Sequence, residues 1–252
     1  PLVMIAPADS ALITGGSEER RHFMDMVIMQ YNAVYLDSLI RYERALKQRN
    51  TLLKQEAEPD EAVMDVIEAM MSETGEVIYN ERKRFVEEFQ PIFLDLYRRL
   101  AGNVTEEVAM SYVSHGERGD LQSQLRDWRQ RERIVGYSLH GVHKDELDLT
   151  LNGFAVKREA SQGQQKTYFI AMKLAQYVFL KNKGEKMVPL LLLDDIFDKL
   201  DSNRVEQIIN YVSGNEFGQI FITDTRREHL DQVLAATQRD YKLFVVENGE
   251  VK

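Results

Sequence analysis

The sequence predicts an α/β protein in which a mostly parallel β-sheet with flanking helices is joined to a second, helical lobe. Two observations predict this fold class. Apolar side chains recur at helical spacing over two long stretches between residues 17 and 100. After residue 161, short apolar strands alternate with helical segments, the order of a parallel sheet covered by helices on both faces. We therefore expect a head domain, formed by a remnant at 1–16 together with 106–252, and a helical lobe at 17–105.

The composition excludes several classes of protein. The 252 residues carry a net charge of −9, and the whole excess lies between residues 55 and 107, which hold 14 acidic and 5 basic residues. The absence of cysteine excludes disulfides, iron–sulfur clusters and thiol nucleophiles, and it is typical of a reducing compartment. No apolar run approaches the ~18 residues that a membrane-spanning helix requires, so we expect no membrane partner.

The helical lobe is predicted as an antiparallel pair of long helices. The first runs over 17–54, after the stop and N-cap signal Thr14-Gly15-Gly16-Ser17. One apolar stripe defines it, consisting of Met24, Ile28, Tyr31, Tyr35, Leu39, Tyr42, Leu46 and Leu53. The second helix runs from about 60 to 100, and we expect Gly75 and Pro91 to bend or break it.

Strands and further helices are predicted for the rest of the head. Alternating apolar residues predict a strand at 108–112, and a basic amphipathic helix follows at 118–134. The pair Asn152-Gly153 between two alternating runs predicts a β-hairpin. A helix begins near 161, and helices separate the predicted strands at 188–193, 219–223 and 242–246.

Two carboxylates stand at the end of the most apolar strand. Four leucines at 190–193 are followed by Asp194 and Asp195. Open α/β sheets bind ligands at the carboxyl ends of their strands. The arrangement suits a Walker B segment, in which one carboxylate holds Mg²⁺ and a second lies beside the attacking water.

A small polar stretch, Ser161-Gln162-Gly163-Gln164-Gln165-Lys166, precedes a helical pattern. Free backbone N–H groups, a serine hydroxyl and the positive end of the helix dipole favour binding of an anion there. A serine N-cap on an ordinary helix accounts for the same residues, and this stretch alone favours that interpretation.

The two segments together resemble known motifs. Ser161-Gln162-Gly163-Gln164-Gln165 resembles the LSGGQ-type signature of ABC ATPases, and Asp194-Asp195 falls at the Walker B position about thirty residues downstream. Four stretches, 15–25, 141–146, 161–167 and 191–201, resemble the RecF family of recombination-mediator ATPases, in the SMC-like branch of that superfamily. The resemblance covers essentially the whole chain, as the C-terminal two thirds of such a protein. It implies a partial ABC/SMC-type ATPase head with a helical second lobe.

The resemblance also implies roles at the end of the predicted strands. Asp194 would hold Mg²⁺, and Asp195 would orient or deprotonate water. Asp201 would couple two ATP sites as the D-loop residue, and Thr223 and Asp224 occupy the H-loop position. The residues that would contact the γ-phosphate of ATP held by the other subunit of a dimer are Ser161, Gln162, Gly163 and Gln164.

For a full-length protein, the resemblance implies ATP and Mg²⁺ as cofactors. The implied partners are DNA at single-strand/double-strand junctions, RecO- and RecR-type mediator proteins, and a second copy in an ATP-dependent homodimer. The implied role is recombinase loading during gap repair in the cytoplasm, as part of DNA replication, DNA repair and the SOS response.

The sequence departs from the family at several positions. No P-loop of the form Gly-x-x-x-x-Gly-Lys-Ser/Thr occurs in the chain, so we expect these 252 residues to be inactive alone, although the parent would be a slow ATPase. Asp195 stands where most ABC ATPases have Glu, and Asp224 replaces the switch His. Val142 and Lys144 replace the usual Pro and Arg in the 141–146 loop, whose role stays open.

Other residues and functions remain as alternatives. A weaker DNA-binding candidate is the set around Trp128, namely Arg126, Arg129, Arg131 and Arg133, although interleaved acids fit an ordinary surface helix equally well. His140 and His143 lack a third ligand and do not predict a metal site. The alternative functions are another SMC-like ABC ATPase head, or a non-catalytic interaction module built on the helical arm.

Overall fold

The computed structural model describes residues 1–102, 105–184, 188–197, 200, 202–214, 217–225, 231 and 240–251. Its α-helices are α1 (Ala11–Thr14), α2 (Ser17–Ile28), α3 (Ala33–Leu53), α4 (Glu61–Ala101), α5 (Leu121–Val135), α6 (Val156–Glu159), α7 (Gln162–Lys183) and α8 (Ser202–Val212). Its strands are β1 (Leu2–Ile5), β2 (Val108–Val113), β3 (Glu146–Leu151), β4 (Phe154–Ala155), β5 (Leu190–Asp194), β6 (Ile220–Thr223), β7 (Val246–Glu247) and β8 (Glu250–Val251). None of the described helices is long and apolar enough to cross a membrane.

The head is organised around a three-stranded parallel sheet in the order β1-β5-β6. Leu193 in the central strand pairs with Ile5 on one side and with Ile222 on the other. Because strands of this kind require long crossover connections, residues distant in the sequence become neighbours. The predicted α/β class with a parallel sheet and flanking helices is confirmed.

Only one face of this sheet is covered in the part of the chain that the structure describes. Val3, Leu191 and Leu193 are buried on the inner face. On the other face, Leu2, Met4, Leu190 and Phe221 are each 40–49% exposed. The expected cover on both faces is therefore not present among the described residues, where the side chains of these strands alternate between a buried and an open apolar face.

Helix α7 forms the centre of the head core. Residues 167–172 are all buried, so this part of the helix is covered on every side. The helix packs against β1 and against the long helix α4. The ring centroids of Tyr168 in α7 and Phe93 in α4 lie 4.7 Å apart. The C-terminal part of α4 is therefore continuous with the core of the head.

The helical lobe begins with two helices where one is predicted. Helix α2 ends at Ile28, and α3 begins after Asn32, whose side-chain oxygen accepts a hydrogen bond of 3.0 Å from Tyr35 N. Asn at this position satisfies a free N–H group of the new helix. The continuous helix predicted over 17–54 is wrong here, because the apolar spacing continues across the break and does not report it.

Helix α4 is unbroken over 41 residues, and its N-cap is Asp60, which accepts hydrogen bonds from Ala62 N and Val63 N. Gly75 lies where a Cβ atom would come within 2.9 Å of Leu121, so close packing of α5 explains the glycine. Pro91 is on the exposed side of the helix. Neither residue breaks α4, because packing along its buried face outweighs their local cost.

A buried ion network centred on Arg49 fastens α5 to the lobe. Arg49 has no solvent exposure, forms an ion pair of 3.0 Å with Glu68 and a second with Glu132, and donates to Ser138 Oγ at 2.8 Å. Glu132 in turn accepts a hydrogen bond of 2.6 Å from Leu139 N. The network therefore joins α3, α4, α5 and the segment that follows α5.

A second buried network, centred on Arg82, holds the 141–146 loop. Arg82 in α4 lies 2.9 Å from Asp25 and 3.0 Å from Asp145, and it donates to the Val142 carbonyl at 2.8 Å. The hydroxyl of Tyr112 in β2 also donates to Asp145. Burial raises the pKa of Asp145, and Arg82 acts in the opposite direction.

Two hairpins complete the described structure. Strands β2, β3 and β4 form an antiparallel sheet, and positive φ angles of 50° at Asn152 and 80° at Gly153 confirm the predicted hairpin turn. The strand predicted at 242–246 is wrong, since only Val246–Glu247 is a strand and it pairs with β8. The reason is a second Asn-Gly turn at 248–249, which reverses the chain.

Candidate functional site

The carboxyl ends of β5 and β6 meet at one edge of the parallel sheet. Asp194 is the last residue of β5, and it is in register with Thr223, the last residue of β6. The Thr223 hydroxyl donates a hydrogen bond of 2.5 Å to Asp194 Oδ1. The structure therefore brings together the residues predicted at the Walker B and H-loop positions.

Asp194 lies on the open face of the sheet. Side chains two apart on a strand share a face, so Asp194 follows Leu190 and Leu192 on the side opposite to the buried Leu191 and Leu193. A carboxylate there stands at the rim of an exposed apolar surface.

Asp195 has an unusual backbone conformation. Its φ angle is +47°, in the left-handed region that Asp tolerates better than most residues. The Asp195 amide donates to the Thr223 carbonyl at 3.1 Å, and the buried side chains of Ile196 and Phe197 anchor the turn that follows. Backbone strain of this kind is concentrated at functional sites.

The remaining predicted residues at this edge are described in part. Asp224 follows β6 and is half-buried. Asp201, predicted as the D-loop residue, lies outside the described residues. Helix α8 begins directly after it at Ser202.

Ser161 is the N-cap of helix α7. Its hydroxyl oxygen accepts a hydrogen bond of 3.3 Å from Gln164 N, and the Gln164 side chain accepts one of 2.8 Å from Ser161 N. This reciprocal pair is a capping box. It leaves the N–H groups of Gln162 and Gly163 at the helix N-terminus without an intrahelical partner. The capping role expected of an ordinary helix is thus present, and the geometry remains compatible with an anion.

Glu106 supports this helix end and was missed by the sequence analysis. It accepts a hydrogen bond of 2.9 Å from Gln164 Nε2 and another from the Tyr97 hydroxyl, and it lies 3.8 Å from Arg204 in α8. Burial raises the pKa of Tyr97, and the hydrogen bond to Glu106 adds to the shift. Glu106 thus connects the N-terminus of α7 with the base of α4. Nothing in the local sequence marks it, because its partners are distant.

The known proteins described next share one name, although no family model matches this chain. The DNA replication and repair protein RecF of Bacteroides fragilis is 56% identical over 251 residues, which is 100% of this chain and 67% of that protein. Those of Parabacteroides distasonis and Porphyromonas gingivalis are 52% and 50% identical over 252 residues. The chain belongs to the RecF family.

Two solved RecF structures have the same fold as this chain. A structure of the recombination mediator protein RecF with ATP, in the RecFOR pathway, superposes with a TM-score of 0.81 at 23% identity, over 100% of this chain and 67% of that one. A second, with an ATP analogue, gives 0.80 at 22% identity. The predicted RecF-type fold is therefore confirmed.

Three of the four arginines that were predicted to bind DNA are paired with carboxylates within this chain. Arg126 lies 3.0 Å from Asp65, and Arg129 contacts the same Asp65 and lies 2.5 Å from Glu68. Arg133 lies 3.2 Å from Glu58. The pairs of Arg126 and Arg129 fasten α5 to α4, and the pair of Arg133 fastens α5 to the segment before α4, which gives the three residues a structural role. Their contact with DNA stays a prediction.

The 141–146 loop of this chain is held from several sides. His143 Nδ1 lies 2.8 Å from the Tyr42 hydroxyl, and its Nε2 lies 3.1 Å from the Ser138 carbonyl, so both ring nitrogens are engaged. Burial lowers the pKa of His143 to about 4. Among the described residues, no group of three His, Asp or Glu is arranged to hold a metal ion.

Proposed function

We propose that this chain supplies the Walker B, signature and H-loop elements of a RecF-type ATPase that acts in DNA replication and repair. The observation that carries the proposal is the meeting of Asp194, Asp195 and Thr223 at the carboxyl edge of the parallel sheet. ATP comes to the proposal from the RecF structures that contain it or its analogue.

Asp194 is the proposed Mg²⁺ ligand. Mg²⁺ in ATPases is held by one or two carboxylates or hydroxyls together with the phosphates of the substrate, so a cage of three protein ligands is not needed. The Asp194 carboxylate and the neighbouring Thr223 hydroxyl fit this donor set. Asp195 is proposed to orient or deprotonate the attacking water. Its side chain is shorter than that of the Glu in most ABC ATPases, which favours slow hydrolysis.

The N-terminus of α7 is proposed to contact the γ-phosphate of ATP bound to a second subunit. The amides of Gln162 and Gly163, which have no partner within the helix, and the positive end of the helix dipole suit a phosphate. The Ser161 hydroxyl accepts one hydrogen bond and keeps its own proton available to a ligand. Asp201 is proposed to couple the two ATP sites as the D-loop residue, and Asp224 is proposed to occupy the H-loop position.

The wider function is proposed for the full-length protein. It binds DNA at single-strand/double-strand junctions, forms an ATP-dependent homodimer, and assists recombinase loading in the cytoplasm. RecO- and RecR-type partners are supported by the RecFOR pathway named for the similar structures.

A chimera tests the proposal. The 252 residues are joined to the remaining third of the Bacteroides fragilis relative, and ATP binding, turnover and the dimer fraction are measured by calorimetry, phosphate release and analytical ultracentrifugation. Ser161→Arg is expected to keep ATP binding and abolish the ATP-dependent dimer, because a bulky side chain blocks the phosphate. Asp195→Asn is expected to keep the dimer and abolish turnover.

The 252-residue chain alone is the control, and it is expected to bind ATP poorly because it lacks a P-loop. If both variants of the chimera dimerise and hydrolyse ATP like the unmodified chimera, the signature and Walker B assignments are wrong. An interaction module is then the better function. The open apolar groove between α3 and α4, lined by Leu52, Val63 and Val66, favours that second candidate.

A further inference from the structure

The structure divides the arginines of α5 into two groups. Arg126, Arg129 and Arg133 in α5 are paired with carboxylates. Arg131, on the same helix, is exposed and forms none of the described ion pairs. The sequence alone treats these four arginines as equivalent, because it does not report which carboxylates lie opposite them.

Arg131 is held over an aromatic ring. Its guanidinium lies 4.7 Å from the centroid of the Trp128 ring. Two histidine rings lie beside this tryptophan. The ring centroid of His140 is 4.3 Å from that of Trp128 and 5.0 Å from that of His115. A cation over an indole face is attracted by the ring, so Arg131 is oriented while it remains in solvent.

Two further exposed cations belong to the same surface. Lys144 lies 5.2 Å from the centroid of the Tyr137 ring, and Tyr137 is 45% exposed. Arg118 follows His115 in a short 3₁₀ turn. Burial lowers the pKa of His115 to about 4, and the charges of Arg118 and Lys144 lower it further. Arg118 and Lys144 therefore both lie near His115, and the ring contacts from His115 through His140 to Trp128 connect them with Arg131.

We propose that Arg118, Trp128, Arg131, Tyr137 and Lys144, here called the aromatic–basic surface, bind the phosphate backbone of duplex DNA. The proposal rests on the proposed function in DNA repair and names one contact surface for it. Three elements contribute, namely the 3₁₀ turn after β2, helix α5 and the loop around Lys144. A cation without a carboxylate partner is available to contact a DNA phosphate. Each such contact releases counterions that are condensed on the DNA.

The contacts of the aromatic rings favour binding of the phosphate backbone of a duplex over stacking of single-stranded bases. Proteins that bind single strands leave aromatic faces free for bases to stack on. Here the Trp128 ring contacts both Arg131 and His140, and the Tyr137 ring contacts Lys144. The rings thus serve as supports that orient the cations. Glu117 and Asp127 are exposed neighbours in the sequence, and neither forms an ion pair with these cations among the described contacts.

The test measures affinity of the 252-residue chain for a labelled DNA duplex of mixed sequence as a function of salt. Each phosphate contact contributes about 0.9 to the slope of log affinity against log salt concentration. Arg118→Gln, Arg131→Gln and Lys144→Gln are each expected to lower that slope by about 1. Trp128→Leu is expected to weaken binding several-fold while the net charge stays the same.

Arg84→Gln is the matched control. It removes the same charge from an exposed arginine of α4 that is paired with Glu81, so the slope is expected to stay unchanged. Equal losses from Arg84→Gln and Arg131→Gln would overturn the proposal, because net charge alone would then explain binding. Tighter binding to a single strand, or equal competition by polyglutamate, would also overturn it.

These outcomes are separable from those of the proposed function. If the unmodified chain binds no duplex, or binds it with a slope that none of the three variants changes, the aromatic–basic surface is not a DNA site. The ATP-dependent behaviour of the chimera is measured independently and is not affected by that result. Circular dichroism of each variant confirms that it is folded.

Discussion

The hydroxyl of Thr223 donates a 2.5 Å hydrogen bond to Asp194 Oδ1, and so joins the ends of two adjacent parallel strands. The pair lies at the rim of the open sheet face and supports no part of the core. In contrast, Arg82 and Asp145 are buried together and join the lobe to the 141–146 loop. The two pairs of polar residues therefore have different consequences for stability.

Asp194→Asn is expected to change the free energy of unfolding by less than about 1 kcal/mol, since Asn still accepts the Thr223 hydrogen bond. Arg82→Met is expected to lower it by about 3–5 kcal/mol, because Asp25 and Asp145 are left without their buried partner. Urea denaturation followed by circular dichroism measures both. Comparable losses in the two variants would mean that Asp194 has a structural role.

Gly141→Ala is expected to destabilise the protein by at least about 2 kcal/mol. The φ and ψ angles of Gly141 are +126° and 174°, a conformation essentially restricted to glycine, and a Cβ there would lie 2.2 Å from the Tyr42 hydroxyl oxygen. Gly153→Ala is the control, since Gly153 has a positive φ but an open surrounding, and about 1 kcal/mol is expected. Addition of Tyr42→Phe to Gly141→Ala is expected to restore part of the loss, and equal effects of the two glycine variants would contradict the steric argument.

Stability is expected to fall as the pH is lowered from 7 to 5, in part through His143. Burial lowers its pKa in the folded protein to about 4, below the ordinary value near 6.5. Between those values the unfolded chain binds a proton that the folded chain does not, so acid favours unfolding. The contribution at pH 5 is about 2 kcal/mol relative to pH 7.

Urea denaturation at both pH values checks this contribution. His143→Gln is expected to reduce the loss of stability on acidification by that amount. His22→Gln, which replaces an exposed histidine of α2, is the control and is expected to leave the loss unchanged. An identical pH dependence in His143→Gln and the unmodified chain would show that His143 is not responsible.

The open face of the parallel sheet is expected to cause self-association of the 252-residue chain. Met4 and Phe221 are 43% and 48% exposed in a contiguous apolar row through Leu192, and such patches associate in water. Met4→Lys combined with Phe221→Lys is expected to lower the associated fraction in sedimentation velocity. Ile134→Lys is the control, because Ile134 is 87% exposed on α5, away from the sheet. A monomeric unmodified chain would contradict the prediction.

Much of the candidate site is predictable from adjacent residues. Asp194 and Asp195 are marked by the four leucines before them, and the capping box of Ser161 and Gln164 is a local pattern. Glu106 is not marked in this way, since its partners Gln164 and Arg204 are distant in the sequence. Buried Arg49 and Arg82 interrupt apolar helical stripes, a signal that predicts a buried ion pair but not its partner.

The sequence by itself determined the elements whose stability depends on neighbouring residues. These include α7 with its Ser161 cap, the apolar strand that ends at Asp194, and the Asn152-Gly153 hairpin, because turn geometry, capping and periodicity act over a few residues. Only the tertiary structure decided that Thr223 bonds Asp194. It also decided that, in the part of the chain that is described, Arg126 has a carboxylate partner while Arg131 has none, and one face of the sheet is open. Each of these depends on which distant segments meet, and a charged or apolar side chain is compatible with many partners until the fold brings one of them into contact.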